Sequence, residues 1–177
     1  MSVLKVPVTS QDHILGDENA SVTLVEYGDY ECPYCGAAHP IIKQILETFG
    51  PDLRFVYRHF PLTNVHPNAE IAAEAAEAAG SQGKFWPMHD WLFENQQDLG
   101  MRSFAAAARH LKLDVPLFLD ELAAHAHHQK IQADFMGGVR SGVNGTPTFF
   151  INGVRHDGSY AYEGLAAAIS GALQQAA

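Results

Sequence analysis

The chain has 177 residues, of which 47% are hydrophobic and 18% are charged, and its formal net charge at pH 7 is −9 with histidines neutral. This composition is that of an ordinary globular protein and excludes a disordered chain. The sequence contains no apolar run of about 18 residues, so no membrane-spanning helix is predicted. The negative charge also disfavours nucleic acid and anionic membrane surfaces as partners, because both are themselves negative.

The first twelve residues bear on where the protein is found. They lack the long apolar core of a secretory signal, and Pro7 and the polar run at 9–12 interrupt their few apolar residues. We therefore expect a cytoplasmic protein. An exported protein whose signal had been replaced by a new initiator methionine would begin in the same way, so a periplasmic location is the alternative.

The first third of the sequence predicts a βαβ unit. Residues 21–27 are rich in β-branched side chains and apolar at both odd and even positions, which indicates a strand buried on both faces. A helix is predicted from Cys32, with Pro33 at its favoured first position, to the Gly50-Pro51 pair, which ends it. A second strand follows at 53–60. A helix between two strands implies parallel pairing with a right-handed crossover.

A long helical block is predicted next. Residues 64–138 show no strand pattern. Helical segments are predicted, from apolar spacing and from breaks at glycine and proline, at 69–79, 85–95, 104–111 and 115–137.

Strand character returns after this block. Residues 148–151 predict a strand, and the Asn152-Gly153 turn joins it to an antiparallel partner at 154–156. An amphipathic helix over 162–174 closes the chain. We therefore divide the sequence into three parts. They are a first part of an α/β domain, a helical insertion domain and a second part of the α/β domain, at 1–63, 64–139 and 140–177.

Only two cysteines are present, Cys32 and Cys35, three positions apart. A disulfide across so short a loop removes little entropy from the unfolded chain, so a structural role explains them poorly. At the helix N-terminus, the dipole and backbone N–H groups would lower the pKa of Cys32 to roughly 7, and an inward carboxylate of Glu31 would oppose this. Cys35 would lie one turn further, on the apolar face, placed to attack a mixed disulfide on Cys32.

Metal binding is the alternative explanation for the cysteines. With His39 they make a C-x2-C-x3-H pattern, but a closed zinc site needs a fourth ligand and commonly a second pair of ligands. His125, His127 and His128 also suggest a metal, yet on one helix they would point in different directions, and we expect no carboxylates beside them. No metal site is predicted at either place.

The segment before the last strands contains a second feature of interest. Thr146-Pro147 directly precedes a buried strand and follows a glycine, which makes it a candidate for a cis peptide bond in a tight turn. In the predicted topology this turn would lie beside the Cys32 end of the first helix. A plain proline at the start of a strand is the alternative.

Together these features resemble the DsbA-like branch of the thioredoxin superfamily, from about Asp12 to Ala172. The resemblance rests on the segment 25–30 before the Cys32-Pro33-Tyr34-Cys35 motif, on the helical insertion, and on the segment 145–153. It implies an α/β thioredoxin fold, made of a βαβ half, a β-hairpin and a terminal helix, with an inserted all-helical domain.

The resemblance also implies roles for single residues. Cys32 would be the exposed attacking thiol and Cys35 its buried partner. Pro147 would be a cis-proline, and the backbone of Thr146 would lie along the substrate chain like an added strand. Glu26 matches a catalytic buried acid below the active site that helps to move the Cys35 proton. A satisfied structural carboxylate is the alternative for this ionisable residue in a strand buried on both faces.

The predicted function is therefore disulfide exchange with protein or peptide thiols, without a cofactor beyond the cysteine pair. Glutathione or a redox protein is the candidate electron partner. Tyr34 stands where strongly oxidising relatives carry histidine, and a neutral phenol gives a thiolate no cationic support, so we expect an intermediate reduction potential. The predicted substrate-binding surface consists of Pro33, Tyr34, Thr146 and Pro147.

Two other functions stay open. A glutathione-dependent transferase or isomerase of the kappa type shares this architecture, but such enzymes usually keep a single serine or cysteine at the active position, so the intact cysteine pair argues against it. A redox-responsive domain that binds peptides in the groove beside Pro147 would need no turnover.

Overall fold

The computed structural model describes residues 2–176, and five strands form its central sheet. The strands are β1 (His13–Leu15), β2 (Val22–Gly28), β3 (Leu53–His59), β4 (Thr148–Ile151) and β5 (Val154–His156). Their order in the sheet is β1-β3-β2-β4-β5. The central strand β2 pairs parallel with β3 and antiparallel with β4, while β1 and β5 add antiparallel edges.

Seven helices accompany the sheet in the described part of the chain. They are α1 (Pro33–Phe49), α2 (Ala69–Gly80), α3 (Phe85–Glu94), α4 (Met101–His110), α5 (Val115–Ala123), α6 (His128–Arg140) and α7 (Tyr162–Ala176). A single 3-10 turn, Gly50–Asp52, connects α1 to β3. Among residues 2–176, no helix is long and apolar enough to span a membrane.

The predicted α/β thioredoxin architecture is confirmed. The first strand, first helix and second strand form a βαβ unit with parallel strands, and the predicted hairpin and terminal helix follow the helical block. The three-residue strand β1 was not predicted, because it is too short to show an alternating pattern. It pairs with β3 from His13 to Leu15. The division into domains at 1–63, 64–139 and 140–177 stays a prediction.

One predicted helix, 115–137, is wrong in its length, because it is two helices. The first, α5, ends at Ala123 and the second, α6, begins at His128. Between them His125 adopts a left-handed backbone with φ 49°, which is uncommon for residues other than glycine, although histidine adopts it more often than most. Its imidazole Nδ1 lies 3.0 Å from the carboxylate of Glu74 on α2, so a tertiary contact accompanies this break.

The strands are apolar on both faces because each face of the sheet has its own core. Along β2, Leu24 belongs to one buried cluster and Val25 to the other, and Phe55 and Val56 alternate in the same way along β3. The larger cluster includes residues of α1, α2 and α7. In β-strands successive side chains point to opposite faces, so the two clusters lie on opposite sides of the sheet. The central strand is therefore buried from above and below.

Candidate active site

The two cysteines lie at the start of α1, and both are free thiols. Cys32 is the N-cap with an extended backbone, and Pro33 follows at the start of the helix. Cys35 is completely buried, as predicted, but Cys32 keeps only 3% of its surface exposed. The expectation of an exposed attacking thiol is therefore wrong, because Cys32 lies against the turn at Thr146. The side chain of Tyr34 is 65% exposed.

The local environment favours a thiolate at Cys32. A hydrogen bond from the Cys35 thiol is the main cause that lowers the pKa of Cys32 to about 5, and the Thr146 side chain and the backbone N–H groups of Tyr34 and Cys35 add to it. The value is lower than the roughly 7 expected from the helix N-terminus alone. Burial raises the pKa of Cys35 well above its usual value, and the nearby Cys32 and Glu26 raise it further. The pair therefore consists of one acidic and one strongly non-acidic thiol.

This asymmetry predicts how fast the protein is alkylated. Because only the thiolate reacts, iodoacetamide should modify Cys32 with a midpoint near pH 5, well below the value of about 8.5 for a free cysteine. Replacing Cys35 with alanine should raise this midpoint, since the main hydrogen bond is lost. Mass spectrometry of the modified protein across pH would measure both. A wild-type midpoint above pH 7, or one that Cys35→Ala leaves in place, would contradict the prediction.

The turn before β4 lies beside Cys32, as the predicted topology requires. The peptide bond between Thr146 and Pro147 is cis. The sulfur of Cys32 lies 3.4 Å from the carbonyl oxygen of Thr146, although 114 positions separate the two residues. A carbonyl oxygen can only accept, so in this contact the Cys32 thiol donates to the backbone of Thr146.

Glu26 lies in the centre of the sheet, near both cysteines. It pairs in register with Tyr57 of β3 and with Phe149 of β4, and only 3% of its surface is exposed. Burial, and secondarily the charge of Cys32, raises the pKa of Glu26 to about 8. A carboxyl group with this pKa exchanges its proton readily near neutral pH, which is the property required of a general acid or base.

Glu31, the residue next to Cys32, does not face the thiolate. Its carboxylate accepts hydrogen bonds from the backbone N–H of Asn68, at 2.6 Å, and from the Asn68 side chain, at 3.0 Å. Asn68 directly precedes α2, so this contact ties the active-site segment to the first helix of the helical block.

Gln96 is a site residue that the sequence did not indicate. From the loop after α3, its Nε2 donates to the carbonyl oxygens of Tyr30, at 2.8 Å, and Cys32, at 2.9 Å. Its amide lies directly against Gly36 in the first turns of α1, where a Cβ atom would overlap it. The helical block therefore holds the backbone on the N-terminal side of the cysteine motif. No local pattern marks such a contact, because it joins positions 64 and 66 apart.

The contact of Gln96 with Gly36 predicts opposite effects of one substitution at two helical glycines. Gly171 lies in α7 with open space around its Cα, so Gly171→Ala should raise the free energy of unfolding by about 0.5–1 kcal/mol. Gly36→Ala should instead lower it by about 1–3 kcal/mol, since the methyl group displaces Gln96 from two buried carbonyls. Urea unfolding of both variants tests this. Equal gains in stability would show that Gln96 moves aside freely.

The histidines considered as metal ligands lie apart from the cysteines. His39 faces α3 and contacts Asp90, so the C-x2-C-x3-H arrangement is not formed. The expectation that the three histidines near 125–128 lack carboxylates is wrong, because helix packing brings glutamates to them. The pairs are His125 with Glu74, His127 with Glu121 and His128 with Glu70.

Several solved structures share this fold over nearly the whole chain. Oxidised BdbD from Bacillus subtilis superposes with a TM-score of 0.86 at 23% identity, covering 98% of each chain. A thioredoxin-like oxidoreductase from Silicibacter pomeroyi gives 0.83 at 28% identity, covering 94% of each chain. The alpha-DsbA1 protein of Wolbachia pipientis gives 0.82 at 21% identity, covering 98% of this chain and 96% of that chain.

Curated relatives share more sequence but over a small part of their length. The chain is 50% identical over 171 residues to Na(+)/H(+) antiporter NhaA 1 of Salinispora arenicola, and the match covers 96% of this chain and 26% of that protein. A second NhaA, from Salinispora tropica, is 47% identical over 174 residues. The chain spans about a quarter of the length of these relatives, so their antiporter name is not transferred to it.

A family model settles the wider relationship. The model described as thioredoxin matches residues 8–171, which include every strand of the sheet and both cysteines. The structures named above match over 94–98% of this chain. The chain therefore belongs to the thioredoxin family, and its fold is that of the DsbA-like members.

Proposed function

We propose that the chain is a thiol–disulfide oxidoreductase that exchanges disulfides with protein substrates, with Cys32 as the attacking thiol and Cys35 as the resolving thiol. The observation that carries the proposal is the geometry of the cysteine pair: Cys32 and Cys35 lie together at the start of α1, and the Cys32 sulfur lies 3.4 Å from the Thr146 carbonyl oxygen of the cis-proline turn. The name of the Silicibacter protein, a thioredoxin-like oxidoreductase at 28% identity, supports the same chemistry.

The reaction follows from the different acidities of the two thiols. The Cys32 thiolate attacks one sulfur of a substrate disulfide, whose S–S bond breaks and releases a thiolate. The Cys35 thiol then gives its proton to the Glu26 carboxylate and attacks the Cys32 sulfur of the mixed disulfide. This breaks the mixed disulfide, releases the second substrate thiolate and leaves a Cys32–Cys35 disulfide. The substrate gains two electrons, and the reverse sequence oxidises a substrate dithiol.

The substrate chain would lie beside the turn at Thr146. An extended peptide there can form hydrogen bonds with the backbone of Thr146 in the manner of an added strand, while Pro33, Tyr34 and Pro147 supply the adjoining surface. Tyr34 is the most exposed large hydrophobic side chain of the motif, at 65%. Glutathione or a redox protein remains the proposed source or acceptor of electrons.

Variants of the two cysteines test the proposal. Wild type should reduce insulin and reoxidise reduced ribonuclease, and Cys32→Ser should abolish both activities. Cys35→Ser should also stop turnover but accumulate a mixed disulfide on Cys32, visible by mass spectrometry. A kappa-type transferase would keep glutathione conjugation in Cys35→Ser, and a peptide-binding domain would keep its affinity in both variants without turnover in wild type. Either result would overturn the proposal.

The reduction potential is expected to be intermediate. A stabilised thiolate favours the reduced form and makes the couple more oxidising. A Cys32 pKa of about 5 lies between the values of about 7 for thioredoxin and about 3.5 for DsbA. The potential should accordingly fall between about −270 and −120 mV. Equilibration with glutathione buffers measures it, and a value at either extreme would contradict the expectation.

A further inference from the structure

A second cluster of polar side chains lies between α1 and α3, outside the cysteine site. His39 of α1 meets His89 and Asp90 of α3, and one possible ligand atom from each lies within 4.8 Å of the others. His39 and His89 are both buried, at 8% and 3% exposure. The disulfide exchange proposed above uses none of these three side chains.

The His39 imidazole has an unsatisfied nitrogen directed at this cluster. Its Nε2 is buried without a hydrogen-bond partner among residues 2–176. The nearest carboxylate oxygen, Oδ1 of Asp90, lies 3.4 Å away. That separation is long for a charge-assisted hydrogen bond, which spans about 2.7–2.9 Å. It equals, however, the distance of about 3.4 Å between two ligand atoms on a tetrahedral ion with bonds of about 2.0–2.1 Å.

The second histidine has a hydrogen-bond partner on one ring nitrogen, as metal-binding histidines commonly do. Nδ1 of His89 lies 3.0 Å from the hydroxyl of the buried Tyr30, which leaves Nε2 as the free nitrogen. Such a partner on the other ring nitrogen fixes the tautomer and the orientation of a ligand histidine.

The carboxylate connects the cluster to solvent. Asp90 is 40% exposed, so an ion has a route to the two buried rings. Lys43 lies 3.1 Å from the other oxygen, Oδ2, and 3.4 Å from Glu94, and thus leaves Oδ1 unoccupied. The lysine opposes a cation by charge, and Glu94 compensates part of that effect. The three residues also line a small cavity with Ile42 and Trp86.

We propose that His39, His89 and Asp90 form a binding site for a divalent transition metal of the zinc class, with water completing the coordination. Two imidazoles and one carboxylate suit zinc and its neighbours better than magnesium or calcium. The other candidate cluster, Glu70, Glu74 and His128, is less suitable, because His125 already holds the Glu74 carboxylate at 3.0 and 3.1 Å.

Zinc titration of the full chain tests the site. The background carries Cys32→Ser and Cys35→Ser, so that thiolates cannot bind the metal, and a chromophoric chelator reports the free zinc. One zinc per chain should bind. His39→Gln and Asp90→Asn should each weaken binding by more than about 100-fold, because partners outside the ligand shell alone contribute about 10–100-fold. Tyr30→Phe should weaken zinc binding by about 10–100-fold, because Tyr30 lies outside the ligand shell. Lys43→Met should tighten zinc binding.

Two control variants and one spectrum make the result decisive. His110→Gln changes an exposed histidine of α4, and His128→Gln removes the competing cluster; both should leave the affinity unchanged. Circular dichroism of the metal-free variants checks that each one folds, and cobalt in the unsubstituted site should give visible bands of tetrahedral coordination. The proposal is overturned if zinc does not bind at submillimolar concentration, if His39→Gln binds zinc as tightly as the parent with both cysteines replaced, or if His128→Gln abolishes zinc binding.

Discussion

Replacing Glu26 with glutamine should stabilise the reduced protein by up to about 3 kcal/mol at pH 7. Burial raises the pKa of Glu26 to about 8 in the folded protein, against an ordinary value of 4.5. Between these pH values the folded chain holds a proton that the unfolded chain has lost. Stability therefore falls as pH rises from about 4.5 to about 8. Glutamine carries no charge at any pH, so the variant does not lose this stability as pH rises. Burying the glutamine amide reduces the gain.

Urea unfolding of the reduced protein at several pH values measures the effect. The advantage of Glu26→Gln should be absent below pH 4 and should grow steadily to pH 8. Glu47→Gln is the matched control, because Glu47 is an exposed carboxylate of α1 and its replacement should change little at any pH. A difference between Glu26→Gln and wild type that does not vary with pH would show that Glu26 titrates normally.

The same substitution should slow disulfide exchange. Without a carboxylate to take the Cys35 proton, resolution of the mixed disulfide should be about 100-fold slower at neutral pH, the lower end of what a general base contributes. The attack by Cys32 should keep its rate, since its acidity depends mainly on Cys35 and Thr146. Stopped-flow measurement of the two steps separates these effects. If Glu26→Gln is more stable than wild type but resolves the mixed disulfide at the same rate, Glu26 does not accept the Cys35 proton.

The sequence predicts the fold wherever the signal is local. The strands β2 and β3 are apolar at consecutive positions, and Gly50-Pro51 ends α1, so their bounds are nearly those expected. The break between α5 and α6 escaped prediction because no glycine or proline marks it; there His125 takes a left-handed backbone and binds a carboxylate of another helix. The strand β1 is too short for a pattern and depends on pairing with β3.

The site divides in the same way. The cysteine motif and the Thr146-Pro147 turn could be predicted, because each is a short segment with a distinctive composition. Their separation of 3.4 Å follows from the topology that the strands impose. The contacts of Gln96 could not be predicted, since they connect the helical block to backbone carbonyls of another segment. The pKa of Cys32 lies below the value expected from the helix N-terminus for the same reason, because the contributions of the Cys35 and Thr146 side chains depend on tertiary geometry.

Arg58 should be among the residues whose loss destabilises the fold most. Its side chain is 3% exposed, and its Nε lies 2.7 Å from Asp12, which is 6% exposed. Its Nη atoms donate to the other Asp12 oxygen, to the carbonyl oxygens of Val6 and Pro7, and to the hydroxyl of Tyr27. One guanidinium thus fastens the N-terminal segment to β3 and uses all of its nitrogens to do so.

Arg58→Met should lower the free energy of unfolding by about 3–5 kcal/mol, because it leaves the Asp12 carboxylate buried without its cation. Arg58→Lys should also be destabilising, since an ammonium group cannot bind both carboxylate oxygens and three further acceptors in a plane. Arg54→Met on the same strand is the control. It should lower the free energy of unfolding by only about 1 kcal/mol, because the hydrogen bonds that it removes, to Thr23 and Glu18, are partly exposed to solvent.

Unfolding at low pH and a second substitution, Asp12→Asn, separate the effect of the Arg58 charge from the effect of its packing. Although burial opposes it, the hydrogen bonds from Arg58 hold the pKa of Asp12 below its usual range. The carboxylate therefore adds stability above its ordinary pKa of 3.8, and this is lost as pH falls, so the gap between wild type and Arg58→Met should narrow toward pH 3. Adding Asp12→Asn to Arg58→Met should restore part of the stability at pH 7, since the uncompensated charge is removed. If unfolding shows the same deficit at both pH values and no rescue, packing of the arginine stem rather than its charge holds the N-terminal segment in place.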